Sequence, residues 1–324
     1  MILGIDISKR YFDATLRQAD GQSWYRRFSN DEAGIQALLR WLNQHGVTSL
    51  HACMEATNLY WEEVAQALYA QDYTVSVVNP ARIKGFAQSQ LRRNKTDKQD
   101  SEVIAAFCAA VTPSAWQPPT QQQRKLRNLE RYCDDLKQTL TQQKNRLANS
   151  KEPAVQHSLQ RVIDTLEQEL KQVEEQVKQH IAQEAALQTN KDLLTSIIGI
   201  GDKVAHKLMA ELYDLPAYHS ARAAAADAGL TPAHHESGDS VRRKPKLSKV
   251  GKASVRSILF LPALSAIRFN PVIKALADRL KARNKPKKVI IAAAMRKLMH
   301  IAHGVLKHQT PFDPNFELAR LLPT

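Results

Sequence analysis

Along residues 1–112 the apolar positions change period several times. ILGIDIS (2–8) is apolar with β-branched residues and predicts a strand. YFDATLRQADGQSWYRRFSN then alternates apolar with polar and turns at Asp20-Gly21, which predicts two antiparallel hairpin strands. EAGIQALLRWLNQHG has helical spacing and stops at Gly46. SLHACMEA (49–56) reads as a short apolar strand, WEEVAQALYAQD as a helix and TVSVVNP (74–80) as another buried strand. Strands and helices in this order predict an α/β core.

The pattern changes over residues 120–188, which hold no glycine and are crowded with Gln, Lys, Glu and Leu. Leu126, Leu129, Cys133, Leu136 and Leu140 recur at steps of three and four. After a break at NSKEP the spacing resumes at Val155, Leu159, Val162, Leu166, Leu170, Val173 and Val177. Two heptad helices joined by a short break predict a coiled coil, paired within the chain or between protomers. From 189 onward, LLTSIIGIGDKVAHKLMAEL has the form helix, tight glycine turn, helix, and apolar helices continue to about residue 308. The expected domains are therefore an α/β unit over 1–115, a coiled-coil arm over 116–188 and a mostly α-helical C-terminal domain over 189–324.

Charge alters this picture. The 324 residues carry a formal net charge of +14. Residues 241–308 hold eighteen Lys and Arg against Asp278 alone, a local net of +17. The excess is thus confined to one region, which favours an acidic partner such as nucleic acid over a generally basic, soluble surface. The three cysteines, Cys53, Cys108 and Cys133, are far apart and form no CxxC pair. That argues against a zinc site or a disulfide framework and fits a reducing cytoplasm. No apolar run reaches about 18 residues, so no membrane partner is expected.

Four carboxylates stand out by position. Asp6 lies inside the first strand between Ile5 and Ile7, Glu55 ends the strand HACMEA, and Asp97 and Asp100 open a helix, one turn apart on one face. A charge inside an apolar strand is costly unless paired or bound to a cation. Carboxylates at strand ends and in a helix turn suit Mg²⁺, a hard, oxygen-seeking ion, and two such ions serve phosphoryl transfer. Each acid also has a plain reading: Asp6 facing water at a strand end, Glu55 or Asp97 capping a helix, Asp100 favoured by the helix dipole.

GIDISK, CMEATNLYWE, VVNPARIKGFAQSQ and RNKTDKQDSEVIAAF resemble the N-terminal domain of the DEDD transposases of the insertion-sequence family one-ten. AGLTPAHHESGDSVRRKPKLSKVGKASVRSILF resembles that family's C-terminal domain. The resemblance runs over effectively the whole chain. It implies a RuvC-like, ribonuclease-H-type fold for the first domain, with the Asp, Glu, Asp, Asp set at Asp6, Glu55, Asp97 and Asp100. It implies a nucleophilic serine at Ser237, which sequence chemistry alone does not select: Ser237 sits in a polar, glycine-containing loop, and Ser240 is close by. His234 and His235 lack a zinc-ligand spacing.

The resemblance further implies a bacterial DNA recombinase that forms a phosphoserine link. Its partners would be donor and target DNA and a structured guide, the bridge RNA. Carboxylates and serine would come from different protomers of a dimer assembling to a tetramer.

Around these elements lie residues suited to phosphate backbones. The turn IIGIGDKVAHKL resembles a helix-hairpin-helix, with Gly199 and Gly201 letting backbone N–H groups approach a phosphate; a plain tight connection would look the same. Arg92, Arg93 and Lys95 precede the third acid, and Arg242, Arg243, Lys246, Lys249 and Lys252 follow the serine. Two other readings use part of this set. A RuvC-like nuclease of branched DNA needs the carboxylates without the serine, and a basic coiled-coil scaffold needs neither.

Overall fold

The structure, a computed structural model, describes residues 1–56, 59–90, 96–237 and 241–315, without the side chains of 234–237 and 241–245. The chain divides into two compact units, Met1–Pro118 and Pro119–Thr324.

The first unit is a mixed sheet with helices on both faces. Its strands are β1 (Ile2–Ile7), β2 (Tyr11–Arg17), β3 (Ser23–Ser29), β4 (His51–Glu55) and β5 (Thr74–Val78). They lie in the order β3-β2-β1-β4-β5. β3, β2 and β1 are antiparallel neighbours, and β4 and β5 continue in parallel from β1. The strand period of two splits the residues of β1 between two cores. Leu3, Ile5 and Ile7 are buried with Leu38, Trp41, Val64 and Leu68 from helices α1 (Glu32–Gln44) and α2 (Glu62–Tyr69). On the other face, Cys53 and Val78 pack with Ile83, Ile104, Phe107 and Cys108 from α3 (Pro80–Ser89) and α4 (Asp97–Val111). The segment leading toward Arg92, Arg93 and Lys95 therefore begins as a helix. Asn79 caps it and Pro80 starts it, a combination that a reading by charge alone passes over.

The second unit has one continuous core. Helices α5 (Gln121–Asn149) and α6 (Pro153–Gln183) run antiparallel: His180 Nε2 lies 2.9 Å from the Gln122 carbonyl, and Lys144 pairs with Glu167 nearer the connecting turn. Their inner side chains, Leu126, Cys133, Leu136, Val173, Val177 and Ile181, share that core with α7 (Ala185–Thr195), α8 (Asp202–Glu211) and the helices beyond. The apolar seam departs from its expected register toward the turn. Val155 and Val162 are exposed and Ile163 is buried instead. A straight helix drifts against a seven-residue repeat, so the inward face moves by one position over this length.

After α9 (Ala221–Asp227) the chain forms a two-stranded hairpin, β6 (Pro232–Ser237) and β7 (Val241–Leu247), then α10 (Ala253–Phe269), α11 (Pro271–Ala282) and α12 (Lys287–His308). The hairpin departs from the loop expected around Ser237. Its polar residues and Pro245 gave little alternation to read, and a two-stranded ribbon needs no apolar face on both sides. Among the described residues, α12 is long and apolar enough to cross a membrane, as α10 and α11 would be together were they not bent by 87°. Yet 56% of the apolar window of α12 is buried, with Ala294, Leu298, Met299 and Ala302 wholly inside the core.

Candidate active site

The acids of the first unit are brought to one face of the sheet by backbone register. β1 and β4 pair Gly4 with Cys53 and Ile5 with Met54, so one further step brings Asp6 level with Glu55. Gly4 marks the face. A Cβ built on it would lie 2.2 Å from the Ser101 carbonyl oxygen and 2.3 Å from the Ala105 nitrogen, so α4 runs directly over it. Asp6, two residues on, points the same way, and so does Glu55, two beyond the Cys53 that packs on α4.

Helix α4 supplies the other pair. Thr96 is its N-cap and accepts from the Gln99 N–H at 3.3 Å. Asp97 is therefore the first helical residue and not the cap, and Asp100 sits in the same first turn, where a negative charge suits the helix dipole. Ser101 locks the helix to the sheet through a 2.7 Å hydrogen bond with Thr15 of β2. Asp97, one turn before Ser101, thus overhangs the ends of β1 and β2.

A fifth carboxylate, which the sequence reading does not single out, completes this face. Asp13 lies opposite Asp6 in the β1–β2 register and is 1% exposed. Arg27 of β3 grips it from two sides, with Nε 3.0 Å from Oδ1 and Nη2 3.1 Å from Oδ2, while the Tyr25 hydroxyl donates to Oδ1 at 2.5 Å. The same Nη2 donates to Asp97 Oδ2 at 2.7 Å. The bond to Asp13 raises both the Tyr25 hydroxyl and the Arg27 guanidinium above their ordinary values. Asp13 could have been found by the same signal as Asp6: an acid inside an apolar strand, between Phe12 and Ala14.

The donor chemistry fits a divalent cation. Carboxylates from two parallel strand ends and one helix turn give an all-oxygen set of the kind Mg²⁺ takes. Among the described residues no three acid, imidazole or thiol side chains converge tightly enough to enclose an ion as they stand. Asp6, Glu55 and Asp100 are each engaged by neighbouring groups. The cysteines are buried free thiols, Cys53 and Cys108 between sheet and α4 and Cys133 in α5.

The serine belongs to the second unit. Ser237 is the last residue of β6 and pairs in register with Val241, so it stands at the tip of the hairpin; its side chain lies outside the described set. Arg242 and Arg243 follow on β7, opposite Glu236 and His235, also without described side chains. Lys246 and Lys249 are exposed. Lys252 pairs with Asp227 at 3.5 Å at the base of the hairpin. Burial alone would lower its ammonium, but Asp214 and Asp227 outweigh it and hold it above the usual lysine value. Arg92, Arg93 and Lys95 lie outside the described residues.

Gly199 and Gly201 form the turn between α7 and α8. Gly199 has φ +109°, where L side chains are strained, and a Cβ there would come 3.0 Å from that of Ala266. Gly201 is exposed, with open space around it, at the N-cap of α8.

Two family models match the chain, the first running past Pro118 to the end of α5. Residues 3–150 match a family model described as "Transposase" with a DEDD motif, and residues 191–278 match the "Transposase IS116/IS110/IS902 family". The chain is 33% identical over 319 residues to the "Pilin gene-inverting protein" of Moraxella bovis, covering 96% of this chain and 97% of that one. Identity and coverage are the same with the protein of that name from Moraxella lacunata. With both parts matched and nearly its whole length aligned, the chain belongs to the IS116/IS110/IS902 transposase family and is a DNA transposase/recombinase.

Proposed function

We propose that this recombinase cuts and rejoins DNA through a phosphoserine link on Ser237, with Mg²⁺ held by Asp6, Glu55, Asp97 and Asp100. The observation that carries the reading is the gathering of Asp6, Glu55 and the first turn of α4 on one face of the sheet. The order β3-β2-β1-β4-β5, antiparallel then parallel, supports a RuvC-like fold for that unit. A bound Mg²⁺ would supply charge for the reacting phosphate and lower the barrier to deprotonating a nucleophile. The Ser237 hydroxyl gives up its proton and Oγ attacks the phosphorus; an Oγ–P bond forms, the DNA P–O bond breaks, and the leaving DNA oxygen takes up a proton to become a hydroxyl. Attack by a hydroxyl of a second strand reverses the step and frees the serine. The number of phosphodiesters is conserved, as inversion or transposition without free ends requires.

The acids and the serine lie in different compact units, which suits a site shared between protomers. We place the α5–α6 hairpin as the coiled-coil arm that associates protomers into a dimer and then a tetramer. The exposed Val155 and Val162 give that association apolar surface. Arg92, Arg93, Lys95, Arg242, Arg243, Lys246 and Lys249 neutralise nucleic-acid backbones, Lys252 fastens the base of the hairpin through Asp227, and the Gly199–Gly201 turn approaches a phosphate. As the family resemblance implies, sequence choice falls to base pairing with a structured guide RNA.

Covalent trapping tests the chemistry. Labelled DNA carrying an element end is incubated with protein, guide transcript and Mg²⁺, then resolved under denaturing conditions. Native protein should shift the label as a covalent adduct, and Ser237→Ala should not. An adduct or near-native recombination by Ser237→Ala would remove the serine assignment. Cleaved ends without an adduct from the native protein would favour the hydrolytic nuclease.

A further inference from the structure

Arg27 is the one described cation shown bonded at once to a buried carboxylate and to a proposed metal ligand. Its guanidinium lies 4.1 Å from the Tyr11 ring centroid, and its two bonds to Asp13 fix its plane. Asp13 is held in turn by the Tyr25 hydroxyl, and the Lys98 ammonium stands 5.3 Å over the Tyr25 ring. The network is anchored on β2 and β3, while the group it reaches, Asp97, is on α4. Asp97 is about half exposed, so nothing in its burial fixes its rotamer; the Arg27 bond to Oδ2 does. A bond to one oxygen leaves Oδ1 as the electron donor for a cation. The same guanidinium compensates Asp13, which faces Asp6 directly across the strands and would otherwise place a fifth negative group against the cradle.

We propose that Arg27 is a positioning residue for Asp97: braced by Asp13 and Tyr25, it fixes one carboxylate oxygen so that the other is presented to the divalent ion. The proposal rests on the reading of Asp6, Glu55, Asp97 and Asp100 as a metal cradle. Hydrogen-bonded partners of ligating carboxylates orient them, and their loss commonly costs about 10–100-fold in metal affinity.

The test is Mn²⁺ uptake by the full-length, DNA-free protein, read by the electron paramagnetic resonance of free Mn²⁺, with circular dichroism and thermal melting in parallel. The double variant Asp13→Asn/Arg27→Met removes one charge of each sign, so the net charge at the site is unchanged. It should bind Mn²⁺ about 10–100-fold more weakly than the native protein. Asp97→Asn should lose at least as much, and adding it to the double variant should cost little more, because both act through one ligand. Arg27→Lys keeps the charge but cannot span two carboxylates with a planar fork, so it should fall between native and double variant. Because Arg27 is 46% exposed, this variant tests the proposal even where the double variant folds poorly. Native affinity in a folded Arg27→Lys or double variant, with affinity lost in Asp97→Asn, would overturn the positioning role and leave the cradle standing. Native affinity in Asp97→Asn, or no Mn²⁺ uptake by the native protein, would overturn the cradle reading itself.

Discussion

Gly4→Ala is the sharpest test of how the acids are assembled. The added methyl would meet the Ser101 carbonyl oxygen at 2.2 Å, the Ala105 nitrogen at 2.3 Å and the Ala105 Cα at 2.8 Å. All three are helix backbone atoms and cannot rotate aside. Ordinary non-bonded contacts begin near 3.5 Å, so α4 must retreat from β1 by roughly 1 Å. Overpacking of this kind costs about 1–3 kcal/mol. The 2.7 Å bond between Thr15 and Ser101 is stretched by the same movement and contributes about 1 kcal/mol more. For a unit the size of Met1–Pro118 the total corresponds to a melting temperature lower by roughly 8–16 °C. The functional effect is larger, because Asp97 and Asp100 ride on α4 while Asp6 and Glu55 stay with the sheet. A misplacement of about 1 Å at reacting groups can cost about 100-fold in rate. Differential scanning calorimetry and single-turnover adduct formation below the melting range measure the two effects. Gly85→Ala, with open space around the new methyl in α3, is the control and should be neutral or slightly stabilising. A Gly4→Ala protein that melts with the native one and reacts within twofold of its rate would refute the close seating of α4 on β1 and the shared face built on it.

Two smaller perturbations probe the same framework. Thr96→Ala removes the N-cap of α4 and should cost about 1 kcal/mol, with faster amide exchange at residues 97–100 and weaker Mn²⁺ uptake. Glu130, 8% exposed on α5 with His206 Nδ1 3.9 Å away, has its carboxyl pushed up to about 7 by burial, against the pull of Lys207 and Lys137. A carboxyl raised on folding binds more protons folded than unfolded, so its contribution should fall as pH rises from about 4.5 to 7 and then level off. Glu130→Gln should therefore stabilise the protein at pH 8 by about 2–3 kcal/mol in urea melts, and the gain should vanish near pH 4.5. An equal gain at both pH values would mean that Glu130 keeps an ordinary carboxylate value.

What could be read in advance follows the periodicity of the chain. In the first unit, period-two strands and apolar-faced helices gave the α/β order, and Asp6 stood out because an acid between Ile5 and Ile7 breaks the pattern. Asp13 breaks it equally, between Phe12 and Ala14, but its meaning depends on Arg27 and Tyr25 across a hairpin, contacts set by strand register. The Lys/Gln-rich stretch gave two long helices. Their register near the connecting turn was misread, because a fixed heptad hides the drift that exposes Val155 and Val162 and buries Ile163.

The serine marks the limit of local reading. HHESGDS has no periodicity and offers no His–Asp relay beside the hydroxyl, and its family resemblance alone marked Ser237. The hairpin gives that mark a mechanical sense. The Arg256 guanidinium binds the Ala228 and Gly251 carbonyls at 3.0 and 3.1 Å, Lys252 pairs with Asp227, and the Lys252 N–H reaches the Asp227 carbonyl at 2.9 Å. Both ends of the ribbon are thus fastened where it leaves the helical core. A serine at the far end of a ribbon held at its base is carried away from its own core, toward whatever the tip meets. The proposed acids belong to Met1–Pro118 and Ser237 to Pro119–Thr324, so the chemistry proposed above draws on both units.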